Sequence, residues 1–253
     1  MKRGAVLLAA LLLLGGAATL PPAATPISRM NLAWWRARHE QKLAELHRGS
    51  VDLLLLGDSI TANYERAGPE PWRDFRPVWQ HFYGGRHAVD LGFKGDATAH
   101  LLWRLRNGEL DGIHPRAAVI LIGANNLGRL HWSAADTLLG IDAVVAEVRR
   151  RLPQTGIVLL GILPSRRSAW ISATTTAINA ALAARYGGGA VAGVTFLDLT
   201  AQFSRDGAAD PADFYDPKLT PPEPPLHPTP QAQARMAAAI EPVVAKLLGD
   251  QAR

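Results

Sequence analysis

Short apolar runs alternate with longer amphipathic stretches over most of the chain. The apolar runs are rich in Leu, Val and Ile. They span residues 51–56, 88–93, 117–122, 157–163 and 194–199. Stretches with helical spacing span residues 31–47, 97–105, 134–152, 169–186 and 231–248. Such alternation predicts an α/β fold, a three-layer α/β/α sandwich around a flavodoxin-like five-stranded parallel sheet. Catalytic groups are then expected at the carboxyl edge of that sheet.

The beginning of the chain has the features of an export signal. Lys2 and Arg3 form a basic start, residues 5–14 are an unbroken apolar run, and small residues follow at 15–18. This order predicts a cleaved signal peptide over residues 1–25 and a periplasmic or secreted protein. The alternative is an uncleaved anchor, which would be the protein's one attachment to a membrane.

The rest of the chain divides into an N-terminal helical leader over residues 26–50 and one domain over 51–253. The leader carries Trp34 and Trp35, and docking of its helix on the core is the default expectation. The 253 residues contain no cysteine, which excludes disulfides, thiolate chemistry and a lipid-modified cysteine. The net charge of +5 comes from scattered basic residues, so no nucleic-acid partner is expected.

The first candidate site follows the first apolar run directly, at Gly57-Asp58-Ser59. A serine on a turn between a buried strand and a helix is accessible, and the free N–H groups of the helix start can face a developing negative charge. Asp58 or Ser59 acting only as a helix cap is an equally good interpretation of this stretch alone.

Three further candidates lie at the ends of other elements. Gly92 and Gly95 follow the second run and permit conformations that expose an N–H group. Asn125 follows the third run, and its amide can donate to an oxyanion, although a turn or cap is the ordinary role. His227 precedes the last helix in a proline-rich segment, where a lone histidine is usually a surface residue.

Together these blocks resemble the ordered motifs of SGNH (GDSL-like) hydrolases. The resemblance is closer still to the catalytic α-subunits of brain-type platelet-activating factor acetylhydrolase. It rests on Gly57-Asp58-Ser59, Gly95-Asp96, Leu102-Trp103-Arg104-Leu105, Asn107-Gly108-Glu109-Leu110, the Asn125-Asn126 pair and Leu226-His227-Pro228.

The resemblance implies a serine esterase that needs no metal and no organic cofactor. Ser59 would attack the ester carbonyl and His227 would be its base. The oxyanion hole would comprise the N–H groups of Ser59 and Gly95 and the side-chain amide of Asn125. The relatives form dimers, so a homodimer is a possibility that the motifs do not decide.

The family pattern is broken three residues before the histidine, where an aspartate is expected and Pro224 stands. Asp216 and Glu223 are the candidate substitutes, and a main-chain carbonyl is a third. Asp216 is favoured, because it follows a tyrosine as in the family and a short insertion is common in an exposed loop.

The expected substrates are small acyl esters, above all acetyl esters of sugars or cell-envelope glycans, with lysophospholipids next. Two alternatives stay open: a ligand-binding protein on the same scaffold with weakened catalysis, and an acyltransferase that uses the same acyl-enzyme. A cluster of aromatic residues lies between the first two blocks and forms either core or the wall of a cleft. It consists of Trp72, Phe75, Trp79, Phe82 and Tyr83.

Overall fold

The computed structural model describes residues 20–69, 73–215 and 226–253. The longer strands are β1 (Leu53–Gly57), β2 (Ala88–Gly92), β3 (Ala117–Leu121), β4 (Gly156–Leu160) and β5 (Val194–Leu197). The helices are α1 (Ala33–Leu46), α2 (Ser59–Ala62), α3 (Arg76–Phe82), α4 (Thr98–Arg104), α5 (Ala124–Gly128), α6 (Ala134–Arg151), α7 (Ala169–Tyr186) and α8 (Pro230–Leu248). Two-residue strands form two small hairpins. They are β6 (Ser204–Arg205) with β7 (Ala208–Ala209), and β8 (Phe214–Tyr215) with β9 (His227–Pro228).

The five longer strands form one parallel sheet in the order β2-β1-β3-β4-β5, which confirms the predicted fold class. Gly57 at the end of β1 is level with Gly92 on one side and Leu121 on the other. Three strands therefore end at the same height, and the residues that follow each of them meet at one edge of the sheet.

Each face of the sheet is covered by helices because its strands are apolar on both sides. In β1, Leu54 and Leu56 pack in a cluster with residues of α4, α6 and α7. Leu53 and Leu55 pack on the opposite face with residues of α3 and α8. All four leucines are at most 2% exposed, and burying a leucine contributes about 1.5–3 kcal/mol. Burial on both faces fixes β1 as a central strand, directly before Ser59.

Helix α1 docks on the core of its own chain, as expected. Trp35 is fully buried and packs against Phe93, Trp103 and His39. Its indole N–H donates to the Asp96 carboxylate at 2.8 Å. The leader is therefore bonded to the turn that carries Gly95.

The aromatic residues between the first two blocks are mostly core. Phe75, Phe82 and Tyr83 are at most 6% exposed, and Trp79 packs beside them. The core interpretation therefore holds for these four, and Trp72 lies outside the described residues. Over the described ranges, no helix combines the length and the apolar composition needed to cross a membrane.

The two neighbouring tryptophans of α1 allow a matched test of docking. Trp35→Ala removes a buried indole and leaves a cavity, so we expect it to lower the free energy of unfolding by about 3–5 kcal/mol. Trp34 is 46% exposed, so Trp34→Ala should cost less than about 1 kcal/mol. Urea denaturation of both variants measures the difference. Equal, small effects would contradict a docked leader.

Candidate active site

The serine block forms a tight turn from β1 into α2. Asp58 caps the helix, accepting a hydrogen bond from the Ile60 N–H at 2.9 Å. Ser59 is the first residue of α2 and is 8% exposed. A Cβ atom on Gly57 would lie 2.5 Å from the Leu121 carbonyl oxygen, so only glycine fits there. Asp58 is thus a cap, and Ser59 is left at the sheet edge with its hydroxyl available.

The hairpin of β8 and β9 brings His227 to this serine. His227 pairs with Tyr215 across the hairpin, and Thr229 then caps α8. The Nε2 atom of His227 lies 2.9 Å from the Ser59 Oγ. This is hydrogen-bond distance, at which an imidazole can take a hydroxyl proton. The structure therefore unites two residues that are 168 positions apart.

For Ser59 to donate to Nε2, the other ring nitrogen of His227 must carry the proton. That atom, Nδ1, is buried and has no hydrogen-bond partner among the described residues. A buried N–H group without an acceptor is costly, so an acceptor for Nδ1 is expected from outside the described residues. Asp216, Glu223 and Pro224 all lie outside the described residues. The choice between Asp216 and Glu223 stays a prediction.

Two main-chain amides at the sheet edge are available as donors. Ser59 begins α2, so its N–H has no partner within the helix, and no other acceptor is found in the described parts of the chain. The same holds for the N–H of Gly95, which has a φ of +72° in the turn after β2. Gly92 has a different role from the one predicted. A Cβ atom there would lie 2.1 Å from the Ala62 nitrogen, so this glycine lets α2 approach β2.

Asn125 lies in the first turn after β3 and is buried beside the serine turn. Its amide Nδ2 donates to the Asp96 carbonyl oxygen at 3.0 Å and contacts Asp58 Oδ2 at 3.3 Å. Burial, with a smaller effect of the nearby Asp96, raises the pKa of Asp58 to about 7. The longer of the two contacts, to Asp58, is the one that a developing oxyanion can replace.

The pair Asn125-Asn126 gives a matched test of this role. We expect Asn125→Ala to lower kcat by about 10²–10³-fold, the usual loss for one oxyanion donor. Asn126 bonds Thr98 through both ends of its amide, so Asn126→Ala should chiefly lower stability, by about 1–3 kcal/mol. Steady-state kinetics and urea denaturation of both variants separate the two roles. The reverse pattern would contradict the assignment.

The environment of His227 favours its neutral form. Burial, together with the smaller effects of the positive charges of Arg66, Arg167 and Lys94, lowers the pKa of the imidazole to about 4. A neutral imidazole is the form that can accept the serine proton. His227 can therefore act as a base at pH values well below the ordinary pKa of histidine.

This pKa predicts the acid limb of the pH profile. Catalysis needs neutral His227, so kcat/KM should hold near its maximum at pH 6 and fall by half near about pH 4, not near 6.5. Initial rates on a neutral ester between about pH 3.5 and 8, with circular dichroism as a folding control, measure the limb. Asp58, with a pKa of about 7, and an ionised Asp216 at Nδ1 would each move the limb upward. A limb near 6.5 that persists in both Asp58→Asn and Asp216→Asn would contradict this environment.

A buried arginine supports the two turns that carry Ser59 and Gly95. Arg104 on α4 donates to Asp96 Oδ2 at 2.9 Å and to the Gly57 carbonyl oxygen at 3.2 Å, and it pairs with Glu109. All three charged side chains are fully buried. All three lie in the stretches that carry the family resemblance, which was the available signal, but the sequence alone did not assign them a role. Within the described ranges no three acidic or histidine side chains form a cluster that could hold a metal ion.

The fold thus places a serine–histidine pair at the carboxyl edge of the parallel sheet. The chain belongs to the GDSL-like lipase/acylhydrolase family, whose model matches residues 55–235. This match confirms the family resemblance drawn from the motifs.

Individual relatives agree with this assignment. Human platelet-activating factor acetylhydrolase IB subunit alpha2 is 33% identical over 131 residues, which are 51% of this chain and 52% of that protein. The chain thus matches about half the length of this relative. A GDSL-like lipase from Bacteroides thetaiotaomicron has a TM-score of 0.62 at 16% identity, over 83% of this chain and 97% of the other. A carbohydrate esterase family 3 structure from Talaromyces cellulolyticus has a TM-score of 0.51 at 18% identity, over 80% and 100%. These two structures share the fold.

Proposed function

We propose that this protein is a serine esterase that hydrolyses short acyl esters through an acyl-enzyme on Ser59. The observation that carries the proposal is the 2.9 Å contact between Ser59 Oγ and His227 Nε2. It is supported by the free N–H groups of Ser59 and Gly95 and by the adjacent Asn125 amide. A nucleophile, a base and oxyanion donors are the parts that acyl transfer requires.

The reaction proceeds in two halves. Ser59 Oγ attacks the ester carbonyl carbon while His227 Nε2 takes the hydroxyl proton. The N–H groups of Ser59 and Gly95, with Asn125 Nδ2, donate to the resulting oxyanion. Collapse breaks the bond to the alcohol, which leaves with the proton from His227. Water then attacks the acyl-serine, again with His227 as base, and releases the acid and the free serine.

We propose that Asp216 accepts the Nδ1–H of His227. Asp216 follows Tyr215 directly in the sequence, and Tyr215 is the cross-strand partner of His227. Glu223 is the alternative acceptor. An acceptor at Nδ1 would stabilise the required tautomer and the imidazolium that forms during attack.

We propose acetyl esters of carbohydrate, cell-envelope glycan or lipid as substrates. The acetyl preference is supported by the relative at 33% identity, which is an acetylhydrolase by name. The carbohydrate esterase noted above shares the fold and no more, so it makes sugar esters compatible with this scaffold without selecting them.

Hydrolysis of p-nitrophenyl acetate, butyrate and octanoate tests the proposal. We expect turnover of the two short esters and a steep fall at octanoate. Absence of turnover on all three esters would favour a ligand-binding protein on this scaffold. Release of acetate to water rather than to an added sugar separates a hydrolase from an acyltransferase.

We also propose that the enzyme acts outside the cytoplasm, in the periplasm or after secretion. The support is the basic start and apolar run of residues 1–25. Cell fractionation after expression of the full chain tests this. Recovery of the protein with intact residues 1–25 in the cytoplasmic fraction would contradict it.

A further inference from the structure

A pocket of about 300 Å³ lies between helix α1 and the segments that follow β1 and β2. It is lined by Trp34, Arg38, Ala62, Glu65, Arg66 and Lys94. Ala62 ends the short helix that Ser59 begins. Arg66 donates to the Tyr215 hydroxyl at 2.7 Å, and Tyr215 is the cross-strand partner of His227. The pocket therefore borders the helix that carries Ser59, and through Arg66 it is bonded to the hairpin that carries His227.

The pocket holds positive charge that the described residues do not neutralise. Its acidic member, Glu65, is paired with both Arg38 and Lys42. Arg66 and Lys94, in contrast, form no ion pair with any carboxylate among the described residues. Burial lowers the pKa of Lys94, and the charges of Arg66 and Arg38 add to the effect. Cations held close together without an anion favour a negatively charged ligand.

One wall of the pocket is an exposed indole. Trp34 is 46% exposed, although it neighbours the fully buried Trp35 on the docked helix. The Arg29 guanidinium lies over its ring at 5.3 Å. A rigid aromatic face beside cationic donors suits a ring-shaped ligand with an apolar face and an anionic substituent.

The position of the pocket decides which part of an ester it would hold. The leaving alcohol takes its proton from His227, so it must depart on the His227 side. A group in the pocket would accordingly belong to the alcohol and not to the acyl chain.

We propose that this pocket is a leaving-group subsite that selects acyl esters of acidic saccharides. Arg66 and Lys94 bind a carboxylate or phosphate on the sugar, and Trp34 packs on the face of its ring. A volume of about 300 Å³ suits one sugar unit. The proposal rests on the esterase function proposed above and names its substrate class.

Matched saccharide esters test the proposal. The substrates are monoacetylated methyl glucuronide, monoacetylated methyl glucoside and monoacetylated glucose phosphate, with acetate release as the measured rate. We expect kcat/KM for the anionic esters to exceed that for the neutral glucoside by about tenfold or more, mostly through KM. The preference should weaken as ionic strength rises. The better of the two anionic esters identifies the carboxylate or the phosphate as the bound group.

Three variants assign the preference to the pocket. Arg66→Gln combined with Lys94→Gln should bring the ratio of anionic to neutral ester close to one. Trp34→Ala should raise KM for all three saccharides. Arg36 is exposed on helix α1, which also carries Trp34, but it lies outside the pocket. Arg36→Gln therefore removes a positive charge without changing the pocket and should keep the wild-type ratio.

Two results would overturn the subsite in different ways. If wild type hydrolyses p-nitrophenyl acetate and the neutral glucoside through Ser59 but shows no preference for anionic sugars, the subsite is wrong and the esterase stands. If wild type hydrolyses no ester at all and a fluorophosphonate leaves Ser59 unlabelled, the esterase proposal and the subsite both fail.

Discussion

Replacing Ser59 with alanine is expected to lower kcat/KM for p-nitrophenyl acetate by about 10⁴–10⁶-fold, the usual loss of a nucleophile in a serine hydrolase. The change removes one oxygen atom, whose described hydrogen bond is to His227. Folding should therefore be preserved. The thermal midpoint is expected within a few degrees of wild type, as judged by circular dichroism.

A matched serine separates loss of the nucleophile from general damage. Ser172 on α7 donates its hydroxyl to main-chain oxygens of Ser165 and Ser168, away from the site. Ser172→Ala should retain activity. Retained activity in Ser59→Ala, with a stable fold, would remove Ser59 from the mechanism.

Loss of the His227 imidazole is expected to cost nearly as much, about 10⁴–10⁶-fold for His227→Ala, because without its base the hydroxyl is a weak nucleophile. The two residues act as one unit. Combining both substitutions should therefore cost little more than either alone. Steady-state rates of the three variants measure this. Losses that multiply would show that the residues act independently.

The same assay separates the two candidate acids. Asp216→Asn is expected to reduce kcat while keeping measurable turnover, because the base and the oxyanion donors remain. Glu223→Gln should have a small effect. If the order is reversed, Glu223 is the acceptor. If both are neutral, the third candidate, a main-chain carbonyl, becomes the explanation.

The fold was readable from the sequence because its sheet is buried on both faces. Such strands are continuous apolar runs, and β1 to β5 each fall within the runs predicted for them or differ by one or two residues. Helices α6, α7 and α8 likewise match the stretches of helical spacing predicted at residues 134–152, 169–186 and 231–248. Helix α3, with its seven residues and a proline near its start, carries too short a pattern to be recognised.

The hairpin that delivers His227 could not be predicted from local pattern. Strands β8 and β9 have two residues each, and a two-residue strand has no periodicity. The histidine was found because it resembles a family motif, and the contact with Ser59 needed the folded chain. The contact between Ser59 and His227 therefore depends on the topology of the chain and not on local sequence propensity.

The electrostatics of the site also depend on contacts far apart in sequence. Arg104 acquires its role from Gly57 and Asp96, and the pocket joins Trp34 from the leader to Lys94 after β2. Each of these residues has an ordinary interpretation when taken alone. Their roles follow from which side chains are buried and which charges have no partner among the described residues. Only the three-dimensional arrangement defines both.

The most direct test of the account is covalent labelling of the native protein with a fluorophosphonate, followed by peptide mass spectrometry. The probe reacts with serines that a neighbouring base activates. We predict one labelled peptide, containing Ser59, that is absent in Ser59→Ala and strongly reduced in His227→Ala. An unlabelled protein, or a label on another serine with Ser59 untouched, would contradict the assignment of Ser59 as the nucleophile.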